Sequence, residues 1–323
     1  MIEDVWYVVM ASRAIGRKPV GATRMGQRMV FWRDGEGRVV AMVDRCPHKG
    51  VALSPGRVVD GQIRCPYHGF AFDREGACQR MPVQGAVRPA MCVTTYKTHE
   101  AHGMVWIWWG DPARCDAPPK SFPEQEGRGP WTWAEAEIAY PVDHSRFIET
   151  NFDVYHAAIA HRSVNVGGLF GTRVANLHVE HDAESGAIEA RGELVHEGKE
   201  HGVVFRTSFL PGNLQLIEIG GQVGVSAAIP VDEAHCISLF RIYGTLPAPL
   251  GYLQAASVVL LEKFVVQPQD VAIMDTMTEK QCVPGKSRWV EADLGAARYV
   301  QWRRRRLGKE ARRAPPAVPQ ARP

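Results

Sequence analysis

Apolar positions in the first third of the chain come in short, β-branched and aromatic runs. DVWYVV (4–9), RMVFW (28–32), RVVAMVD (38–44) and MVWIWW (104–109) have the composition of strands, and DGEG (34–37) stands between two of them as a turn. QIRCPYHGFAFD (62–73) continues the style. CDAPPKSFPEQEGRGP (115–130) is rich in Pro, Gly and charge and reads as a linker. A strand, WTWAEAEIAY (131–140), follows it. Residues 143–161 then have a helical pattern, with Asp143 as N-cap and Phe147, Asn151, Val154 and Ala158 at helical spacing. Residues 174–245 return to strands, beginning with a hairpin over 174–197 that turns at Ser185-Gly186. Residues 251–280 and 289–310 read as helices, and no repeat is visible. The pattern predicts an all-β domain over 1–115, a linker over 116–130 and an α+β domain with an antiparallel sheet over 131–310. Residues 311–323 are expected to be a disordered, basic, Pro-rich tail.

Composition narrows the class. With 323 residues, 45% hydrophobic and 23% charged, the chain has the apolar mass for a core, which excludes a disordered or collagenous protein. Seven cysteines are too few, and odd in number, for a disulfide scaffold, so a reducing, cytoplasmic compartment is expected. MIEDVWYVVM lacks the basic start and long apolar run of a signal peptide. The longest apolar stretch, Ala255 to Val266, is broken by Glu262 and Lys263, so no membrane span is expected. The net charge of +3 hides an asymmetry: residues 302–323 hold eight Lys/Arg and one Glu, which leaves the remainder at about −4. The body is therefore no platform for nucleic acid.

The densest chemistry lies at Cys46-Pro47-His48 and, sixteen residues on, at Cys65-Pro66-Tyr67-His68. Each half offers one thiolate and one imidazole, followed by a turn-forming Gly50 or Gly69. Two structural Cys with two satisfied His is one reading. A Cys₂His₂ zinc site is another, although zinc loops pair Cys with Cys and His with His. A Rieske [2Fe–2S] cluster, in which two thiolates hold one iron and two imidazoles the other, needs one Cys and one His from each loop. The segment CPHKGVALSPGRVVDGQIRCPYHGFAFD resembles the Rieske domain of ring-hydroxylating and demethylating oxygenases. Rieske proteins of respiratory complexes add a cysteine to each loop for a bracing disulfide. Gly50, Val51 and Gly69 stand in those places here, which points to the oxygenase type.

Such a cluster only carries electrons. O₂ chemistry needs a metal with open positions, for which two His and one carboxylate on one face are suited. Asp153-x-x-His156-x-x-x-x-His161 resembles the iron-binding segment of the same family. The two His are five residues apart, so they converge only at a helix end or distortion. The resemblance implies a carboxylate ligand from a C-terminal helix, in a stretch like E-D-x-x-x-x-E. Gln269-Asp270 with Asp275 fits it, making Asp270 the ligand and Glu262, Asp275 and Glu279 its rivals. By the same resemblance Asp153 bridges His68 of one subunit and His156 of its neighbour, in a head-to-tail homotrimer. One departure is that Thr150 stands where the family carries Asn, with Asn151 one place later.

His144, His178, His181 and His235 have no ligand-like partners nearby and are assigned to surface or core. Cys78, Cys92, Cys115, Cys236 and Cys282 are assigned likewise, Trp106, Trp108 and Trp109 to core or an interface, and Met274 and Met277 to helix packing. No G-x-G-x-x-G joins a strand to a helix, so electrons from NAD(P)H are expected through a separate reductase or ferredoxin, for which the basic tail is a candidate dock. The resemblance implies a Rieske domain followed by a helix-grip (START-like) catalytic domain. The implied activity is hydroxylation or oxidative demethylation of a small aromatic, alicyclic or natural-product substrate at Fe(II), as in the branch of vanillate and dicamba demethylases and ketosteroid hydroxylases. Two rivals share part of the ligand set: a pure Rieske electron carrier, and the same iron used for desaturation or oxidative cyclisation.

Overall fold

The computed structural model describes residues 1–88, 90–129, 132–165 and 171–310. The described chain forms two compact units, Met1–Pro119 and Lys120–Lys309. The tail at 311–323 lies outside the described residues, as do Pro130 at the end of the expected linker and Trp131 at the start of the expected strand.

The first unit is all β, in three small sheets. Its strands are β1 (Val5–Ala11), β2 (Val20–Arg24), β3 (Gln27–Arg33), β4 (Val39–Val43), β5 (Arg57–Val59) and β6 (Gln62–Arg64), then β7 (Ala71–Phe72), β8 (Cys78–Arg80), β9 (Thr95–Tyr96), β10 (Thr98–Ala101) and β11 (Met104–Trp109). They pair in the orders β1-β11-β10, β2-β3-β4-β9 and β5-β6-β7-β8. Along β3 the run Met29–Trp32 is buried on both faces, which explains why it reads as continuous rather than alternating apolar. Val30, Trp32, Leu53, Ile63, Phe70 and Phe72 form one core cluster with Cys46 and Cys65. Trp106 and Trp108 are buried on β11, where Trp108 pairs with Trp6 in an edge-to-face contact, ring centroids 5.6 Å apart.

The second unit is a seven-stranded antiparallel sheet with helices packed on it. Its strands are β12 (Trp133–Tyr140), β13 (Arg173–His181), β14 (Ile188–Val195), β15 (Val203–Leu210), β16 (Leu214–Ile219), β17 (Gln222–Pro230) and β18 (Cys236–Tyr243). Their order is β12-β18-β17-β16-β15-β14-β13, a meander closed at one edge by the first strand. The helices are α1 (His144–Asn151), α2 (Ala157–Ala160), α3 (Leu250–Leu261), α4 (Gln267–Asp275) and α5 (Leu294–Glu310). Val259 of α3 packs on Ala136 and Phe240, and Tyr299 and Trp302 of α5 pack on Phe209. On the opposite face from Ala136 and Phe240, the buried pair Arg241–Glu135 (2.7 Å) ties β18 to β12, with the guanidinium 3.8 Å from the Trp133 ring.

Two expectations are corrected. First, 143–161 is not one helix. Asp143 caps α1, accepting from the Ser145 N–H at 2.9 Å, but α1 stops at Asn151 and α2 starts only at Ala157. Asp153 lies in the break, and its side chain accepts from the His156 N–H at 3.2 Å. Second, the helix expected over 251–280 ends at Asp275 and is interrupted by a π turn over Glu262–Val266. Pro268 follows at once and has no N–H to donate, so the ladder widens where it would otherwise be broken. The division between the two units falls between 119 and 120, within the expected linker; beyond it Phe122 and Gln125 are buried, and Glu124 pairs with Arg206 of β15.

Candidate metal centres

The two Cys/His loops are built alike. Cys46 N–H donates to Val51 O (2.7 Å) and Gly50 N–H to Cys46 O (2.9 Å). Cys65 N–H donates to Phe70 O (2.8 Å) and Gly69 N–H to Cys65 O (3.1 Å). Both loops thus close over five residues, and both need a left-handed residue at the fourth step, met by Gly50 (φ +73°) and Gly69 (φ +71°). The first loop is braced at its base by buried Asp44, which accepts from Leu53 N, Ser54 N and Ser54 Oγ at 2.7 Å each. The thiols of Cys46 and Cys65 are neighbours and buried, and burial pushes Cys46 up to about 11. The His48 and His68 Nδ1 atoms face each other 3.1 Å apart, and Phe70 stacks on His48 with centroids 4.9 Å apart. Burial, with the charges of His68 and Lys49, lowers the His48 pKa. Two sulfurs inside and two imidazole nitrogens nearer the surface are the donor set that a Rieske cluster takes.

In the second unit, His156, His161 and Asp270 bring their ligand atoms within 4.8 Å of one another. Asp270 Oδ1 is 3.2 Å from His161 Nε2 and 3.7 Å from His156 Nε2. The break that ended α1 makes this convergence: His156 stands at the N-terminal end of the one-turn α2 and His161 at its C-terminal end. The rings lie 5.4 Å apart at 73°. His156 Nδ1–H donates to the Asp153 main-chain carbonyl, so Nε2 is left toward Asp270. Burial lowers both imidazole pKa values, but nearby acceptors outweigh it and raise them: Asp153 then Asp270 for His156, and Asp270 then Gln269 for His161. A divalent ion bound by these atoms would displace any proton they share. Two nitrogens and one carboxylate oxygen fit Fe(II) with coordination positions left over.

The rivals of Asp270 stand apart from this group. The Asp275 side chain is 71% exposed and faces Lys280 at 3.5 Å, and Glu279 faces Lys286. Glu262 lies closer, and burial raises its pKa, but its carboxylate accepts from Gln267 Nε2 (3.0 Å), whose Oε1 accepts from Tyr140. Sequence reasoning passed over Gln269, which hydrogen-bonds His161 at Nδ1 (2.9 Å); its one signal was its place beside Asp270. Asn151 bonds Gln215 of β16 at 3.0 Å and so anchors α1 to the sheet. His144 is fully buried core, its Nδ1 2.9 Å from Asp143. Met274 is buried as helix packing, and all seven cysteines are free.

The chain thus joins a β unit with two Cys/His loops to a unit whose seven-stranded sheet carries helices that bring two His and a carboxylate together. The model of the Rieske [2Fe–2S] domain family matches residues 5–97, within the first unit. A putative toluene-4-sulfonate monooxygenase system iron–sulfur subunit from Comamonas testosteroni is 36% identical over 163 residues, 50% of this chain and 46% of that protein. The oxygenase subunit of vanillate O-demethylase from Pseudomonas sp. is 33% identical over 161 residues, 50% of this chain and 45% of that protein. The chain thus spans about half the length of the curated relatives it matches. The crystal structure of dicamba monooxygenase bound to dicamba superimposes with a TM-score of 0.78, covering 97% of this chain and 99% of that one at 21% identity, so the two share a fold. Among the described residues no helix is long and apolar enough to cross a membrane.

Proposed function

We propose that the protein is the oxygenase component of a multi-component system. It takes electrons from a separate ferredoxin or reductase, fed by NAD(P)H, and uses O₂ to hydroxylate or oxidatively demethylate a small organic substrate. Cys46, His48, Cys65 and His68 hold the [2Fe–2S] cluster, and His156, His161 and Asp270 hold Fe(II). When bound, the cluster supplies single electrons and the iron supplies O₂ activation. The protein's part is to fix the donors, leave one side of the iron site open and hold the substrate against it. The observation that carries the reading is the presence, in one chain, of two separate donor sets of different chemistry.

The sheet face beneath α3 is apolar. Ala134, Ile242, Gly224 and Ile217 are successive cross-strand partners on the face where Ala136 and Phe240 meet α3. All four are only partly buried and none is charged. At one end of this row α3 packs on Ala136; at the other, Val154 packs with Leu194 and Phe205 just before His156.

Asp153 is assigned the electron route between a cluster His68 and an iron His156 of adjacent subunits in a cytoplasmic homotrimer. Its main-chain carbonyl on His156 and its partly exposed carboxylate support that role. The test is metal analysis of anaerobically purified protein. Three irons and two acid-labile sulfides per chain, with product formed on adding a reductase, substrate and O₂, are expected. Two irons per chain and no oxygenation would instead identify an electron carrier.

A further inference from the structure

We propose that Gln269 is the positioning residue of the iron site, holding His161 in the tautomer that leaves Nε2 free for metal. The proposal rests on reading His156, His161 and Asp270 as the iron ligands. Gln269 Oε1 accepts from His161 Nδ1–H at 2.9 Å, and Gln269 Nε2 donates to Ser163 Oγ at 2.8 Å. The amide is thus anchored at its nitrogen end, and its oxygen end is directed at the ring. On the other side of the same ring, Asp270 Oδ1 lies 3.2 Å from Nε2. Two consecutive residues in the first turn of α4 therefore address the two nitrogens of one imidazole.

The two imidazoles are oriented by different devices. His156 Nδ1–H donates to the main-chain carbonyl of Asp153, which no side-chain substitution removes. His161 depends on a side chain. A hydrogen-bond acceptor behind a metal-bound His fixes its tautomer and raises its basicity, and losing such a partner costs about 10–100-fold in metal affinity. A neutral amide does this without adding a second negative charge beside Asp270.

The test uses cluster-loaded protein stripped of its mononuclear iron with a chelator, then titrated anaerobically with Fe(II), and in parallel with Co(II), whose visible spectrum reports ligand geometry. Gln269→Leu is expected to bind both ions about 10–100-fold more weakly, with an altered Co(II) spectrum. Gln269→Glu, which keeps the acceptor, is expected to retain wild-type affinity or better. Ser163→Ala, which only unties the amide, is expected to fall between wild type and Gln269→Leu, and it stands in should that variant fail to fold. Histidine ¹⁵N spectra of the metal-free protein at pH 9 are expected to show the His161 proton on Nδ1. Wild-type affinity in Gln269→Leu, equal losses in the Leu and Glu variants, or a proton on Nε2 would each overturn the proposal. His161→Ala separates it from the underlying reading: if that variant binds metal normally, the iron site itself is misassigned.

Discussion

Gly69 donates its N–H to the carbonyl of Cys65 at 3.1 Å and closes the second Cys/His loop in the way Gly50 closes the first on Cys46. An added Cβ at Gly69 would meet nothing nearer than Pro82 Cγ at 3.6 Å, so its cost is the left-handed backbone alone, about 1–2 kcal/mol. Gly76, in the turn leading to β8, differs: a Cβ there would lie 2.0 Å from the Val93 carbonyl oxygen. Gly69→Ala is expected to fold with a lowered Tm and reduced [2Fe–2S] absorbance. Gly76→Ala is expected to lower Tm considerably more, because main chain must move. Thermal melts and cluster content of the two purified variants check this ordering.

Asp270 and Asp275 lie five residues apart, yet only Asp270 meets the two imidazoles. Asp270→Asn is expected to lose the mononuclear iron and all oxygenation while keeping the visible spectrum of the cluster. Asp275→Asn is expected to keep three irons per chain. Iron and sulfide assays on both variants decide between the two carboxylates.

Asp153 acts on His156 through its main chain as well as its carboxylate. Asp153→Ala removes only the carboxylate, so both metals are expected to stay bound while coupled turnover is lost. The measurement is iron content set against product formed per electron consumed. Normal coupled turnover in this variant would refute the electron route.

His144 gives the second unit a built-in acid sensitivity. Burial lowers its pKa against the pull of Asp143, so the folded protein takes up this proton later than the unfolded chain. Stability from this residue is complete above the ordinary value of 6.5 and declines as pH falls below it. The Tm of the wild type is expected to drop between about pH 7 and 5. His144→Gln, whatever its Tm at neutral pH, is expected to show a shallower slope over that range. Melting curves across the interval would count against the assignment if the two slopes coincide.

Local chemistry was legible residue by residue. The spacing of Cys46, His48, Cys65 and His68 pointed to two loops of like build, because the donors and glycine of a short turn lie within a few positions of each other. The strand runs and the Asp143 cap were readable for the same reason: period and capping are near-neighbour properties. The break after Asn151 was not, since the helical spacing of Val154 and Ala158 continues through it. The π turn before Pro268 escaped notice because its cause is a missing donor rather than a pattern.

By itself, then, the order of residues determined which donors exist and which of them share a loop. Only the tertiary structure decided which carboxylate reaches the His pair, and that Gln269 stands behind His161. Asp270 lies 109 positions from His161, a distance along the chain over which no local preference acts. The packing of α3 on β12 and β18, and the register of the helix after its π turn, bring the two together.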